Sequence, residues 1–182
     1  MFIISHAASG YIAGKIISHH KKLDKYQQLF IVLVVTFSVF PDVDGVFSAT
    51  VAGHHSILHT PVFWITVSCL IYVIGRKFYP SKNHIIAWGV FLGANLHLIT
   101  DWITARTVGI QWFYPFITKN YYLYSIYPEK GQIPIYEMVT NPYWSFYMEN
   151  KLLFGFEFGL NLIAVFILLR KINLSFKNES EK

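Results

Sequence analysis

The chain has 182 residues, long enough for one domain spanning 1–182, and no stretch of it reads as a linker. Hydrophobic residues make up 54% and charged residues 14%, a balance that excludes an ordinary soluble globular domain and points to an integral membrane protein. The net charge of +5 does not mark a nucleic-acid binder, because Lys and Arg fall in short clusters between apolar runs and not along one polar face.

Crossing a bilayer takes roughly 20 mostly apolar residues in a helix. Five runs come near that length: 2–18, 27–40, 57–75, 84–103 and 152–169. The first has no basic residue ahead of its apolar part, so it is expected to be retained as a helix and not removed as a secretory signal. The second, YQQLFIVLVVTFSVF, is short, and Pro41 is expected to end it below the membrane surface. The third contains the lone Cys69, expected to be a core thiol with no disulfide partner. Between the fourth and fifth runs, residues 104–151 are dense in Trp, Tyr and Phe and carry prolines at 115, 128, 134 and 142. Aromatic rings favour the membrane interface, so this segment is expected to form a cap with short helices. The expected fold is all-α: an integral membrane helical bundle of about five transmembrane helices under an aromatic-rich extracytoplasmic cap.

Lys and Arg collect in the cytoplasmic loops of membrane proteins. Lys21, Lys22 and Lys25 follow the first run, Arg76, Lys77 and Lys82 the third, and Arg170, Lys171, Lys177 and Lys182 the fifth, whereas 41–56 has none. The pattern predicts a multi-pass protein of the cell membrane with its N-terminus outside and its C-terminus in the cytoplasm. His19, His20 and His84 then fall at the cytoplasmic interface. Small-xxx-small pairs at Gly10 and Gly14, Gly89 and Gly93, and Gly155 and Gly159 predict close helix packing.

On these helices the polar groups converge at the outer end. His6 lies near the start of the first helix, Asp42 and Asp44 just past the second, His54 and His55 before the third and His59 in its first turn. His97 and Asp101 occupy the last turns of the fourth, four positions apart and so on one helix face. His55 and His59 share that spacing if the third helix reaches back to 55. Ionisable groups in a membrane protein line a cavity or pair with one another. Imidazole with carboxylate and no Cys cluster suits zinc, manganese or iron. Glu157, followed four positions later by Asn161, is expected to face a cavity or a partner helix.

The elements SHAASG, PDVD, HHSILHT, HLITD and GIQWFYP, in that order between 5 and about 116, resemble the YdjM-like family, described as membrane-bound metal-dependent hydrolases, some under SOS control. The resemblance implies ligands at His6, Asp42, Asp44, His54, His59, His97 and Asp101. His55 stands where the family often has Arg, and Leu58 where it often has Thr, which removes a cation for a substrate anion and leaves His54 and His55 both open as the ligand. A further resemblance links the family to zinc-dependent phospholipases C. Together these imply a hydrolase using one or two divalent ions, zinc first, with Asp42 or Asp44 as bridge or base and His6 closing the site or acting as general acid. An amphiphilic phosphoester at the outer membrane interface is the expected substrate. A divalent-metal transporter and a non-enzymatic protein with a structural metal site are the alternatives.

Overall fold

The computed structural model describes residues 1–19 and 21–180; His20 and Lys182, both expected at the cytoplasmic side, lie outside them. The protein is a membrane helical bundle, 73% helix, with no strand among the described residues. Its helices are α1 Ile3–Ser18, α2 Gln27–Val39, α3 Pro61–Phe78, α4 Asn83–Thr104, α5 Tyr143–Glu149 and α6 Lys151–Ser180. Packing runs α3, α4, α2, α1, α6 across the bundle, so α4 and α2 form its centre.

Four segments are long and apolar enough to cross a membrane: Gln27–Phe47, Pro61–Phe78, Asn83–Thr104 and Lys151–Arg170. The fifth expected run is α1, whose 16 residues fall short of that length. Pro41 does stop α2 as an α-helix, because it cannot donate to the carbonyl four residues back. The chain nevertheless continues as a 3₁₀ helix, Phe40–Phe47, which carries Asp42 and Asp44.

Sequence spacing places His59 inside the third helix, and the structure corrects this. Proline lacks an N–H and fits the first helical position, so α3 starts at Pro61. His59 closes a separate 3₁₀ turn, Ile57–His59, and His54 closes another, Ala52–His54, so no helix spaces His55 from His59. The indole N–H of buried Trp64 donates to the Leu58 carbonyl at 2.7 Å and pins the His59 turn to α3. Trp64 packs with Val90, Ala94 and Leu98 of α4, one residue from His97.

Two of the three glycine pairs mark close crossings. A Cβ at Gly93 would lie 2.6 Å from the Val34 carbonyl oxygen, and one at Gly10 would lie 2.2 Å from Ser38 Oγ. Gly155 and Gly159 have nothing within 4 Å, so this pair packs no neighbouring helix in the bundle. Cys69 is exposed on the outward face of α3, not in the core, because a lipid-facing helix is apolar all round and gives a small thiol no preferred side.

The segment between α4 and α6 folds back over one end of the bundle. Ile110 and Tyr121 exchange two backbone hydrogen bonds of 2.9 Å, short 3₁₀ helices follow at Pro128–Gly131 and Ile135–Val139, and α5 comes last. Tyr143, Phe146 and Tyr147 of this cap are buried with Val51, which fastens the cap over the loop that carries the histidines.

Candidate metal centre

Four chain segments deliver polar side chains to the capped end. His6 comes from the first turns of α1, Asp42 from the 3₁₀ helix after α2, His59 from the turn before α3, and His97 with Asp101 from the end of α4. His6, His97 and Asp101 are almost wholly buried, and so is His59. The α1 segment is held in place by Ser38 Oγ, which donates to the His6 carbonyl at 2.9 Å across the Gly10 contact.

All the ring Nε2 atoms face the same carboxylates. His6 Nε2 lies 3.0 Å from Asp101 Oδ1, and His97 Nε2 lies 3.0 Å from Asp101 Oδ2. Asp42 Oδ1 stands 3.6 Å from Nε2 of His54, of His59 and of His97. His59 Nε2 is 3.1 Å from His97 Nε2. Four ligand atoms around one zinc ion at about 2.0–2.1 Å would stand roughly 3.3 Å from one another. The donor atoms of His6, Asp42, His97 and Asp101, all within 4.8 Å of each other, therefore fit a metal ion with little rearrangement.

The opposite ring nitrogens are committed to other partners. His97 Nδ1 meets the Ser38 carbonyl at 2.9 Å, and His54 Nδ1 meets the Val51 carbonyl. A carbonyl can only accept, so both Nδ1 atoms carry a proton, and in the neutral ring Nε2 is then the nitrogen with the lone pair. His6 Nδ1 lies 3.1 Å from Thr100 Oγ1, whose own hydrogen points to the carbonyls of Leu96 and His97. His59 Nδ1 faces Asp44 Oδ2 at 3.2 Å. Four histidines thus share the arrangement of metal-ligating imidazoles, with one nitrogen on an outer acceptor and the other aimed inward. Replacing Thr100 with Val removes the outer acceptor of His6 and is expected to weaken zinc binding by about 10–100-fold, read by titration against a competing chelator.

His54, His55 and His59 form a second group of donor atoms, joined to the first through His59 and Asp42. His55 departs from the common pattern: its ring stacks on His59 with centroids 4.3 Å apart, and its Nδ1 has no partner. Burial, followed by the neighbouring His59 and His54, holds His55 well below the usual imidazole range and so neutral. Burial also disfavours charge on His59, but Asp42 and Asp44 outweigh it and raise that imidazole to about 9. Asp44 lies behind His59, with Oδ2 also accepting from Ser56 Oγ at 2.8 Å and Oδ1 left without a partner. The Met1 ammonium donates to Asp101 Oδ1 at 2.7 Å. The Met1 ammonium and the raised His59 imidazole thus both face carboxylates.

An apolar cleft of about 870 Å³ opens beside the cluster, with Asp42, His54 and Asp101 at its polar end and Phe2, Met138, Trp144 and Phe158 among its walls. Glu157 also reaches this cleft. It accepts from Arg106 Nη1 at 2.8 Å, from the Phe2 N–H at 3.2 Å and from the Tyr147 hydroxyl, which burial and Glu157 keep protonated by raising it far above its ordinary value. Asn161 is tied to Ser5 Oγ at 2.9 Å. His19 and His84 are exposed, far from these groups in sequence.

Sequence spacing does not reveal Ser38, Thr100, Arg106 or Tyr147. Ser38 meets His97 through its backbone carbonyl, which any residue possesses. Thr100 was open to detection, since it lies between His97 and Asp101 in HLITD.

A multi-pass helical membrane protein with a buried His/Asp cluster at one end is the class that fold and site define. The model of the YdjM inner membrane protein family matches residues 1–173, and the chain belongs to that family. No curated protein and no solved structure matches the chain, so the similarity to phospholipases C gains no support.

Proposed function

We propose that the protein is a membrane-bound metal-dependent hydrolase acting on a phosphoester of an amphiphilic substrate, with its site on the extracytoplasmic face. The single observation carrying this reading is the shared orientation of His6, His54, His59 and His97, each with Nδ1 on an outer acceptor and Nε2 directed at Asp42 or Asp101. Such a set, without thiolate, suits zinc, with manganese or iron as alternatives.

His6, His97, Asp101 and Asp42 are the ligands the geometry favours for one ion, and His59 with His54 those for a second, sharing Asp42. Bound there, a divalent ion would lower the pKa of water to near 7 and polarise the scissile group. Asp44 orients His59 through Oδ2, and its free Oδ1 is the oxygen available to take up a proton. The apolar cleft beside the carboxylates, about 870 Å³, supports this reading by being large enough for a hydrocarbon chain. A transporter reading is less well supported, because the donor groups sit at one end of the bundle and the deeper Asn161 is bonded to Ser5.

The test is turnover of phosphoester, carboxyl ester and amide lipids by detergent-purified protein, zinc-loaded and chelator-treated. Phosphoester cleavage by the zinc form alone, with helical circular dichroism unchanged after chelation, is the expected result. Zinc flux in proteoliposomes without turnover would favour transport. Melting of the bundle on chelation without turnover would favour a structural metal.

A further inference from the structure

We propose that Arg106 is the anion-binding residue of the cleft, presenting the Nε and Nη2 edge of its guanidinium to two oxygens of a phosphate carried by an amphiphile. The proposal rests on the hydrolase reading and adds the group that holds its substrate.

Arg106 follows α4 by two residues, and its side chain is about nine-tenths buried, at 7% relative exposure. Only Nη1 is engaged, donating to Glu157 Oε1 at 2.8 Å and to the Thr104 carbonyl at 3.0 Å. Nε and Nη2 are buried and have no partner. A buried donor without an acceptor is costly, and two on one edge of one group form a fork shaped for two oxygens of a single phosphate or carboxylate. The fork is also held still. The guanidinium lies over the Tyr147 ring with its carbon 3.8 Å from the centroid, and Glu157 is itself fixed by Tyr147 and the Phe2 N–H.

Position supplies the second argument. Among the described residues Arg106 is the only Arg or Lys in the cleft lining, which it shares with the Met1 ammonium, Asp42 and Asp101. It also lines a second cavity of about 530 Å³ that includes Tyr124, Ser125 and Lys151. Arg106 thus borders both an apolar chamber and a more polar one, a position that suits a phosphate with a hydrocarbon tail. The Met1 ammonium in the cleft is taken up by Asp101, whereas Nε and Nη2 of Arg106 have no acceptor, so Arg106 is the cation of the cleft left to oppose a substrate charge.

The experiment measures binding of dodecyl phosphate and of inorganic phosphate to the full chain in a neutral detergent, by calorimetry. Variants are Arg106→Gln and Arg106→Lys; the lysine keeps a cation for buried Glu157, so the fold survives even where the glutamine variant fails. Dodecyl phosphate is expected to bind the wild type and to lose about tenfold or more in affinity in Arg106→Lys, with zinc content unchanged. Unchanged affinity in Arg106→Lys would overturn the proposal. Equal, Arg106-dependent affinity for inorganic phosphate would overturn the amphiphile assignment. Chelator-treated wild type is expected to keep Arg106-dependent binding, since Arg106 bonds none of the metal-centre side chains; this separates failure here from failure of the hydrolase reading.

Discussion

Asp101→Ala is expected to lower zinc affinity by at least about 100-fold, because loss of an outer-sphere partner alone costs 10–100-fold and Asp101 is proposed as a ligand itself. Its two oxygens lie 3.0 Å from Nε2 of His6 and of His97 and 3.7 Å from Nε2 of His59. Without the carboxylate these ring nitrogens converge on one another with less charge to bring a cation between them. His97→Ala should behave alike, since it removes a donor that meets both Asp42 and Asp101. Metal analysis of the purified variants, with circular dichroism to confirm the helices, reads the effect. Wild-type zinc content and affinity in both would remove these residues from the metal assignment.

Gly93→Ala is the second large effect. The added Cβ would stand 2.6 Å from the Val34 carbonyl oxygen, 2.9 Å from Phe37 Cβ and 3.0 Å from the Phe37 carbonyl carbon. Two of these atoms are backbone and cannot rotate away, so α4 must move off α2. Overpacking of this kind costs about 1–3 kcal/mol. The same shift would carry His97 away from the Ser38 carbonyl, which lies on α2, and so loosen the proposed metal site as well. Thermal unfolding in detergent should show a lower midpoint for Gly93→Ala and no drop for Gly155→Ala, whose new methyl group meets nothing within 4 Å. A drop in Gly155→Ala equal to that in Gly93→Ala would contradict the packing described.

These two glycines also show what a sequence can and cannot convey. The pairs in α1, α4 and α6 have the same spacing, yet only the first two meet a neighbour, because the pattern permits close approach without naming a partner. Cys69 was unreadable for a related reason: α3 faces outward over much of its length and its apolar residues do not distinguish core from lipid. Apolar length, by contrast, located α2, α3, α4 and the spanning part of α6, Lys151–Arg170, to within a few residues, since a span needs a length that few other segments reach. His97 and Asp101 were legible as a pair because a helix fixes the geometry of residues four apart. His59 was misplaced by its nearness to α3, although Pro61 carried the signal for where that helix starts. Arg106 and Glu157 are 51 positions apart, and no local pattern links them.

X-ray absorption at the zinc edge of detergent-purified, zinc-loaded protein tests the central claim most directly. The account predicts a shell of nitrogen and oxygen donors at about 2.0–2.1 Å, with the outer-shell scattering of at least two imidazoles and no sulfur, lost in the Asp101→Ala variant. A spectrum of hydrated zinc without imidazole scattering, or one unchanged by Asp101→Ala, would contradict it.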